Sequence, residues 1–182
     1  MLLPSSIRLI ESKEIERAIY FLADEYRKSG RNPKPVVFHS LRVAYTLLEI
    51  GYRNLPIIAG ILHDVLEDTD ADSKELRKQF GPEVARCVES LTENTAITDA
   101  VARYKELYGR AIKYGKDACV VRAADLLDNL RYFWLVEDAA KRNTLFKKVR
   151  YFIEYARVLQ EEPILRMLQK NLDEISCAFE HS

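Results

Sequence analysis

The chain has 182 residues, a length that suits one compact domain burying about 70% of its unfolded surface without disulfides or other staples. Lys plus Arg and Asp plus Glu balance at 28 each, which excludes both the basic footprint of a nucleic-acid binder and an acidic tail; an anionic ligand must be held by local basic groups. Three scattered cysteines, Cys87, Cys119 and Cys177, lack CxxC spacing and leave one unpaired, the usage of a reducing compartment and of small core residues. The opening MLLPSSIRLI is interrupted by Pro4 and Arg8 too soon for a signal peptide, and no apolar run approaches membrane-spanning length. A soluble, cytoplasmic protein with no nucleic-acid or membrane partner is expected.

Helical periodicity dominates from the first element, where Ile15, Ala18, Ile19, Leu22, Ala23 and Tyr26 form one stripe and Gly30 ends the helix. A Pro-rich basic loop, Arg31 to Pro35, leads to a helix from about Phe38 to Ile50, with His39 in its first turn and Gly51 in the terminating position. Pro56 to Glu67 reads as a third helix. Short helices follow at Ser73–Gln79 and Pro82–Leu91, divided by Gly81, and Asp72 with Glu75 has the spacing of a capping box. Thr98–Tyr114 closes at Gly115. Asp117 to Val136 reads as a long helix, apolar on most sides and therefore central. Two amphipathic helices finish the chain, the second from Pro163 to Phe179, whose apolar face suits either the core or a homo-oligomeric contact. Strand signals are confined to Val36-Val37-Phe38, so the expected fold is all-α, a compact bundle of about eight to ten helices.

The run Leu62-His63-Asp64-Val65-Leu66-Glu67-Asp68-Thr69 places a histidine and three carboxylates at the end of an intensely apolar segment, and no Lys or Arg occurs from Leu55 to Ser73. Carboxylates are disfavoured at a helix C-terminus, and the missing countercharge points to a bound metal. On a continuous helix His63 and Glu67 would share one face, and Asp64 and Asp68 the next. Asp70 and Asp72 are read as solvated or capping acids. In the central helix Asp125 joins Arg122, Asp128 and Asn129 in one polar stripe, which is either part of a site or an internal Arg122–Asp125 ion pair.

A lone histidine, His-Asp two dozen residues on and an Asp about sixty residues later resemble the HD metal-dependent phosphohydrolase superfamily. HDVLED, Phe80-Gly81, ADLLDNLR and the RKSG at Arg27 to Gly30 look like the RelA/SpoT-type alarmone hydrolases, over about Glu14 to Ile175 and without a nucleotidyltransferase domain. The resemblance implies that residues 1–182 form a single HD-type hydrolase domain, a small stand-alone enzyme that removes the 3′-pyrophosphate of guanosine tetra- or pentaphosphate. It makes His39, His63, Asp64 and Asp125 the metal ligands, with Mn²⁺ the usual ion, and mixed nitrogen and oxygen donors suit Mn²⁺ better than Mg²⁺. Glu67 and Asp68 would orient or deprotonate the nucleophile, and Arg27, Lys28 and Asn129 would bind substrate. Arg42, Arg103, Lys105, Arg110 and Lys113 are further phosphate candidates, though charges on an outer helix face are usually only solvated.

The sequence departs from the family pattern at a short insertion between RKSG and His39 and at Leu126, Asp128 and Tyr132, which bears on base and ribose recognition rather than on the metal set. Two alternatives stay open: a related hydrolase acting on an adenine alarmone or the 2′-phosphate of NADPH, and a nucleotide-binding module that has lost its chemistry.

Overall fold

A computed structural model describes residues 9–31 and 35–180. Among them are nine α-helices and two short 3₁₀ turns, with no strand: α1 (Leu9–Ser29), α2 (Val36–Glu49), α3 (Leu55–Leu62), α4 (Val65–Asp68), α5 (Ser73–Leu91), α6 (Ala100–Tyr114), α7 (Lys116–Arg131), α8 (Ala139–Tyr155) and α9 (Pro163–Glu180). Residues 32–34, within the Arg31 to Pro35 loop where the insertion is expected, and the opening residues 1–8 lie outside the described residues. No helix among the described residues is long and apolar enough to cross a membrane.

The bundle is organised around α7, which packs against α2, α3, α5, α6, α8 and α9. Its unbroken buried run from Ala118 to Asp128 explains why the sequence shows apolar residues on most sides. The helix is shorter than expected, ending at Arg131; Phe133–Leu135 form a 3₁₀ turn in which Phe133 is buried and Trp134 faces out. Apolar character alone did not mark this end, because Phe133 returns to the core from the turn.

Helix α3 is apolar all round and buried from Pro56 to Leu62 between α1, α2, α5 and α7. Pro56 fits the first turn, where a missing N–H costs nothing. Gly60 lets α2 come close: a Cβ there would lie 3.4 Å from Leu47 Cδ1 and 3.5 Å from Ala44 Cα. Val36-Val37-Phe38 open α2 rather than a strand. Asp72 caps α5 by accepting from the Glu75 N–H at 2.8 Å, and Gly81 (φ 85, ψ 169) kinks that helix where the glycine predicts a division. In α9, Ile164, Leu168, Leu172 and Ile175 are buried and the helix lies on α7 and α8, so its apolar face serves the core. Cys87 and Cys119 are buried as expected, whereas Cys177 is exposed on α9.

Two substitutions test this packing by urea denaturation. Leu127→Ala, in the middle of α7, should cost about 2–5 kcal/mol. Gly81→Ala should cost about 1–3 kcal/mol, since its backbone conformation is essentially restricted to glycine.

Candidate metal centre and active site

Three helices meet at one buried point. α2 brings His39, the end of α3 brings His63, and α7 brings Asp125; one donor atom from each lies within 4.8 Å of the others, a group that could hold a metal ion. Asp64, which follows His63, completes the constellation. His39 Nε2 is 3.2 Å from Asp125 Oδ1 and 3.8 Å from Asp64 Oδ2; His63 Nε2 is 3.2 Å from Asp64 Oδ2 and 3.6 Å from Asp125 Oδ1.

The far side of each imidazole fixes its tautomer. His63 Nδ1 is 2.9 Å from the Gly60 carbonyl and His39 Nδ1 is 2.7 Å from Asp128 Oδ2, so both partners are acceptors and each Nδ1 must donate. In the neutral rings both Nε2 lone pairs then face the carboxylates of Asp64 and Asp125. Both Nε2 atoms are buried without a hydrogen-bond partner. Two lone pairs facing two carboxylates need a cation between them, and the donor set fits a divalent metal. Arg122 donates to Asp125 Oδ2 at 2.8 Å and Asn129 to Asp125 Oδ1 at 2.8 Å, so the internal ion pair and the candidate metal site are parts of one arrangement.

The electrostatics agree. Burial alone would depress both imidazole pKa values, yet Asp125 and Asp128 around His39, and Asp64 and Asp125 around His63, raise them, His63 well above its ordinary value. Against the opposing effect of burial, the two histidines and Arg122 hold Asp125 well below the carboxylate range. Asp128, which burial would push up, is held at about 2 by His39 and Arg42.

One expectation is corrected here. Pro56 to Glu67 is not a continuous helix: α3 stops at Leu62, His63 and Asp64 occupy the break, and α4 restarts at Val65. The i,i+4 facing of His63 with Glu67 and of Asp64 with Asp68 therefore does not organise the acids. Glu67 instead accepts the backbone N–H of Glu93, and Asp68 accepts from the Tyr26 hydroxyl at 2.9 Å, tying α4 to α1. The protein packed around Glu67, and then the charge of Asp64, push its carboxyl up to about 7.

A cleft of about 460 Å³ adjoins the cluster and is lined by Asp64, Glu67 and Asp125 and by Lys141, Thr144 and Lys148 of α8. Asn129 lines it, as do Arg122 and Glu93. Arg27 and Lys28 stand apart at the exposed end of α1, paired with Asp24 at 3.0 Å and Glu25 at 2.6 Å. The further basic candidates mostly serve the fold: Arg42 grips Asp128, Arg103 pairs with Glu93, Arg110 pairs with Glu106 and ties down the Glu89 and Thr92 carbonyls, and Lys105 lies over the Tyr151 ring. The contribution of α8 was missed in the sequence, where Lys141 and Lys148 look like any solvated charges of an amphipathic helix. Nor did any sequence signal connect Glu93 with Glu67 across 26 residues.

The HD domain family model matches residues 18–150. The chain belongs to the HD-domain family. Among HD-domain relatives, it is 31% identical over 135 residues to a guanosine-3′,5′-bis(diphosphate) 3′-pyrophosphohydrolase of Aquifex aeolicus (strain VF5), covering 72% of this chain and 19% of that protein. It is 29% identical over 174 residues to a GTP pyrophosphokinase of Streptomyces coelicolor, covering 91% and 20%. The chain thus spans about a fifth of the length of these two relatives. The Mus musculus guanosine-3′,5′-bis(diphosphate) 3′-pyrophosphohydrolase MESH1 is nearer in size, 32% identical over 126 residues, which cover 66% of this chain and 70% of that one. Among solved structures, a metazoan ortholog of SpoT described as hydrolysing ppGpp superposes with a TM-score of 0.76 at 23% identity, covering 96% of this chain and 98% of that one, which shows the fold.

Because protons and metal would compete for the same imidazole nitrogens, divalent-metal affinity should rise with pH through the neutral range, and binding should release protons. Calorimetry in buffers of different ionisation enthalpy, at about pH 6 and about pH 8, measures both.

Proposed function

We propose that the protein is a Mn²⁺-dependent phosphohydrolase that removes the 3′-pyrophosphate from guanosine tetra- or pentaphosphate, giving GDP or GTP and pyrophosphate. One observation carries the reading: two buried imidazole nitrogens converge with Asp64 and Asp125 at the edge of a cleft whose lining also includes Lys141 and Lys148. That is a place for a cation beside a place for a polyanion. The names of the Aquifex and mouse relatives support the substrate.

His39, His63, Asp64 and Asp125 would hold the metal. When bound, such an ion supplies Lewis-acid stabilisation of a phosphoryl oxygen and makes a hydroxide nucleophile accessible near neutral pH. Glu67, on the wall of the cleft with a carboxyl near neutrality, takes a proton from the attacking water or hands one to the leaving group. Asp68 acts from behind through Tyr26, fixing the turn that carries Glu67. Asn129 orients Asp125 and presents its remaining polar capacity to the cleft. Lys141 and Lys148 contact the phosphates; Lys148 already rests on the Glu93 carboxylate at 3.1 Å, an anionic position within the cleft wall. Arg27 and Lys28, exposed at the end of α1 and outside the cleft lining, would bind substrate only where it extends beyond the cleft.

Incubating chelator-treated protein with guanosine tetraphosphate should yield GDP and pyrophosphate only when Mn²⁺ is restored, with product identity read by ion-exchange chromatography. Phosphate released instead from NADPH run in parallel, or an adenine alarmone consumed in its place, would move the activity to another nucleotide; binding without turnover would make the protein a nucleotide-binding module. Glu67→Gln should lower kcat by about 10²–10⁴-fold with an unchanged circular dichroism spectrum. Asp125→Ala should abolish Mn²⁺ binding and turnover together.

A further inference from the structure

We propose that Asp128, clamped by Arg42, is a positioning residue that locks His39 in the Nδ1–H tautomer and aims its Nε2 lone pair at Asp64 and Asp125. Asp128 is 1% exposed and does not line the cleft, so neither substrate contact nor solvation accounts for a carboxylate there. Both its oxygens are committed. Oδ2 lies 2.7 Å from His39 Nδ1 and also accepts from Arg42 at 2.7 Å, while Oδ1 accepts from Arg42 Nε at 2.9 Å. Arg42 in turn is held by its guanidinium plane, 4.6 Å from the Phe38 ring centre and 4.9 Å from that of Tyr132.

The chemistry of this chain of contacts is directional. A planar guanidinium that binds both oxygens fixes the rotation of the carboxylate, which a single-point cation would leave free. A carboxylate so fixed accepts and cannot donate, so the His39 nitrogen facing it must carry the proton. The other nitrogen is then unprotonated in the neutral ring and faces the carboxylates of Asp64 and Asp125. His63 reaches the same state through the Gly60 carbonyl, a backbone acceptor that no substitution removes. His39 depends on a side chain, so its tautomer can be changed by mutation. An Asn at position 128 would keep the shape but offer one oxygen and one N–H₂; with the oxygen in the Oδ1 place, where it accepts from Arg42 Nε and lies 3.5 Å from Arg131 Nη1, the amide would donate to His39 Nδ1 and drive the proton to Nε2, where it blocks the lone pair.

The inference rests on His39 being a metal ligand, and two measurements separate the failure of one from the failure of the other. The chain has three histidines, His39, His63 and His181, so long-range ¹H–¹⁵N spectra of the rings are assignable by single substitution. In chelator-stripped protein, at a pH where the rings are neutral, His39 should be the Nδ1–H tautomer, and Asp128→Asn should convert it to Nε2–H. By calorimetry, Asp128→Asn should weaken Mn²⁺ binding about 10–100-fold, and Arg42→Lys, which keeps the charge but loses the two-point grip, should weaken it less and in the same direction. An unchanged His39 tautomer in Asp128→Asn overturns the proposal even if the melting temperature falls, because it leaves Asp128 a purely structural role. If the tautomer shifts as expected while His39→Ala binds Mn²⁺ like the wild type, the positioning role stands and the metal reading falls.

Discussion

Two imidazoles and two carboxylates share one small, largely buried volume, and with both rings neutral that arrangement is repulsive until a proton or a metal cation joins it. Burying charge and unpaired polar atoms is costly, so the group is held together by the balance of imidazole and carboxylate charge. The tautomers make the demand specific. With Gly60 and Asp128 accepting from the two Nδ1 atoms, the ring nitrogens at the centre have no proton of their own in the neutral state.

Much of the surrounding architecture follows from holding that group. α7 is central because it carries Asp125, Asp128 and Asn129 along one stripe while its remaining faces supply apolar packing to six neighbouring helices. α2 must lie against α3 for His39 and His63 to meet, and Gly60 permits that approach with the same peptide whose carbonyl orients His63. The break between α3 and α4 has a use as well. It sets His63 and Asp64 at the turn, with Asp64 towards the imidazoles and Glu67 directed to Glu93 and the cleft.

The cleft brings charges of both signs together: Arg122 pairs with Asp125, and Lys148 of α8 pairs with Glu93. The overall neutrality of the chain says nothing of this local concentration of charge. The HD-domain match runs through His39, His63, Asp64 and Asp125, and the Asp128–Arg42 pair holds His39 from the side away from that cluster.

The amino-acid sequence alone determined the helical class, most helix positions, the division at Gly81 and the cap at Asp72, because these depend on periodicity, glycine conformation and local hydrogen bonding. It also singled out His63, Asp64 and the stripe around Asp125, since an acidic cluster without countercharge and a polar stripe on an apolar helix are legible as local anomalies, whereas His39 was picked out only by the resemblance to the HD pattern. Only the tertiary structure decided that the helix through His63 breaks, that the central helix stops at Arg131, and that Glu67 turns to Glu93 while Asp68 turns to Tyr26. The bond between His39 and Asp128, 89 residues apart, was equally invisible, as was the place of the α8 lysines in the cleft lining. The physical reason is common to all of these: hydrogen bonds and charge pairs between distant segments leave no periodic trace in either segment, and they exist only once packing has brought the two together.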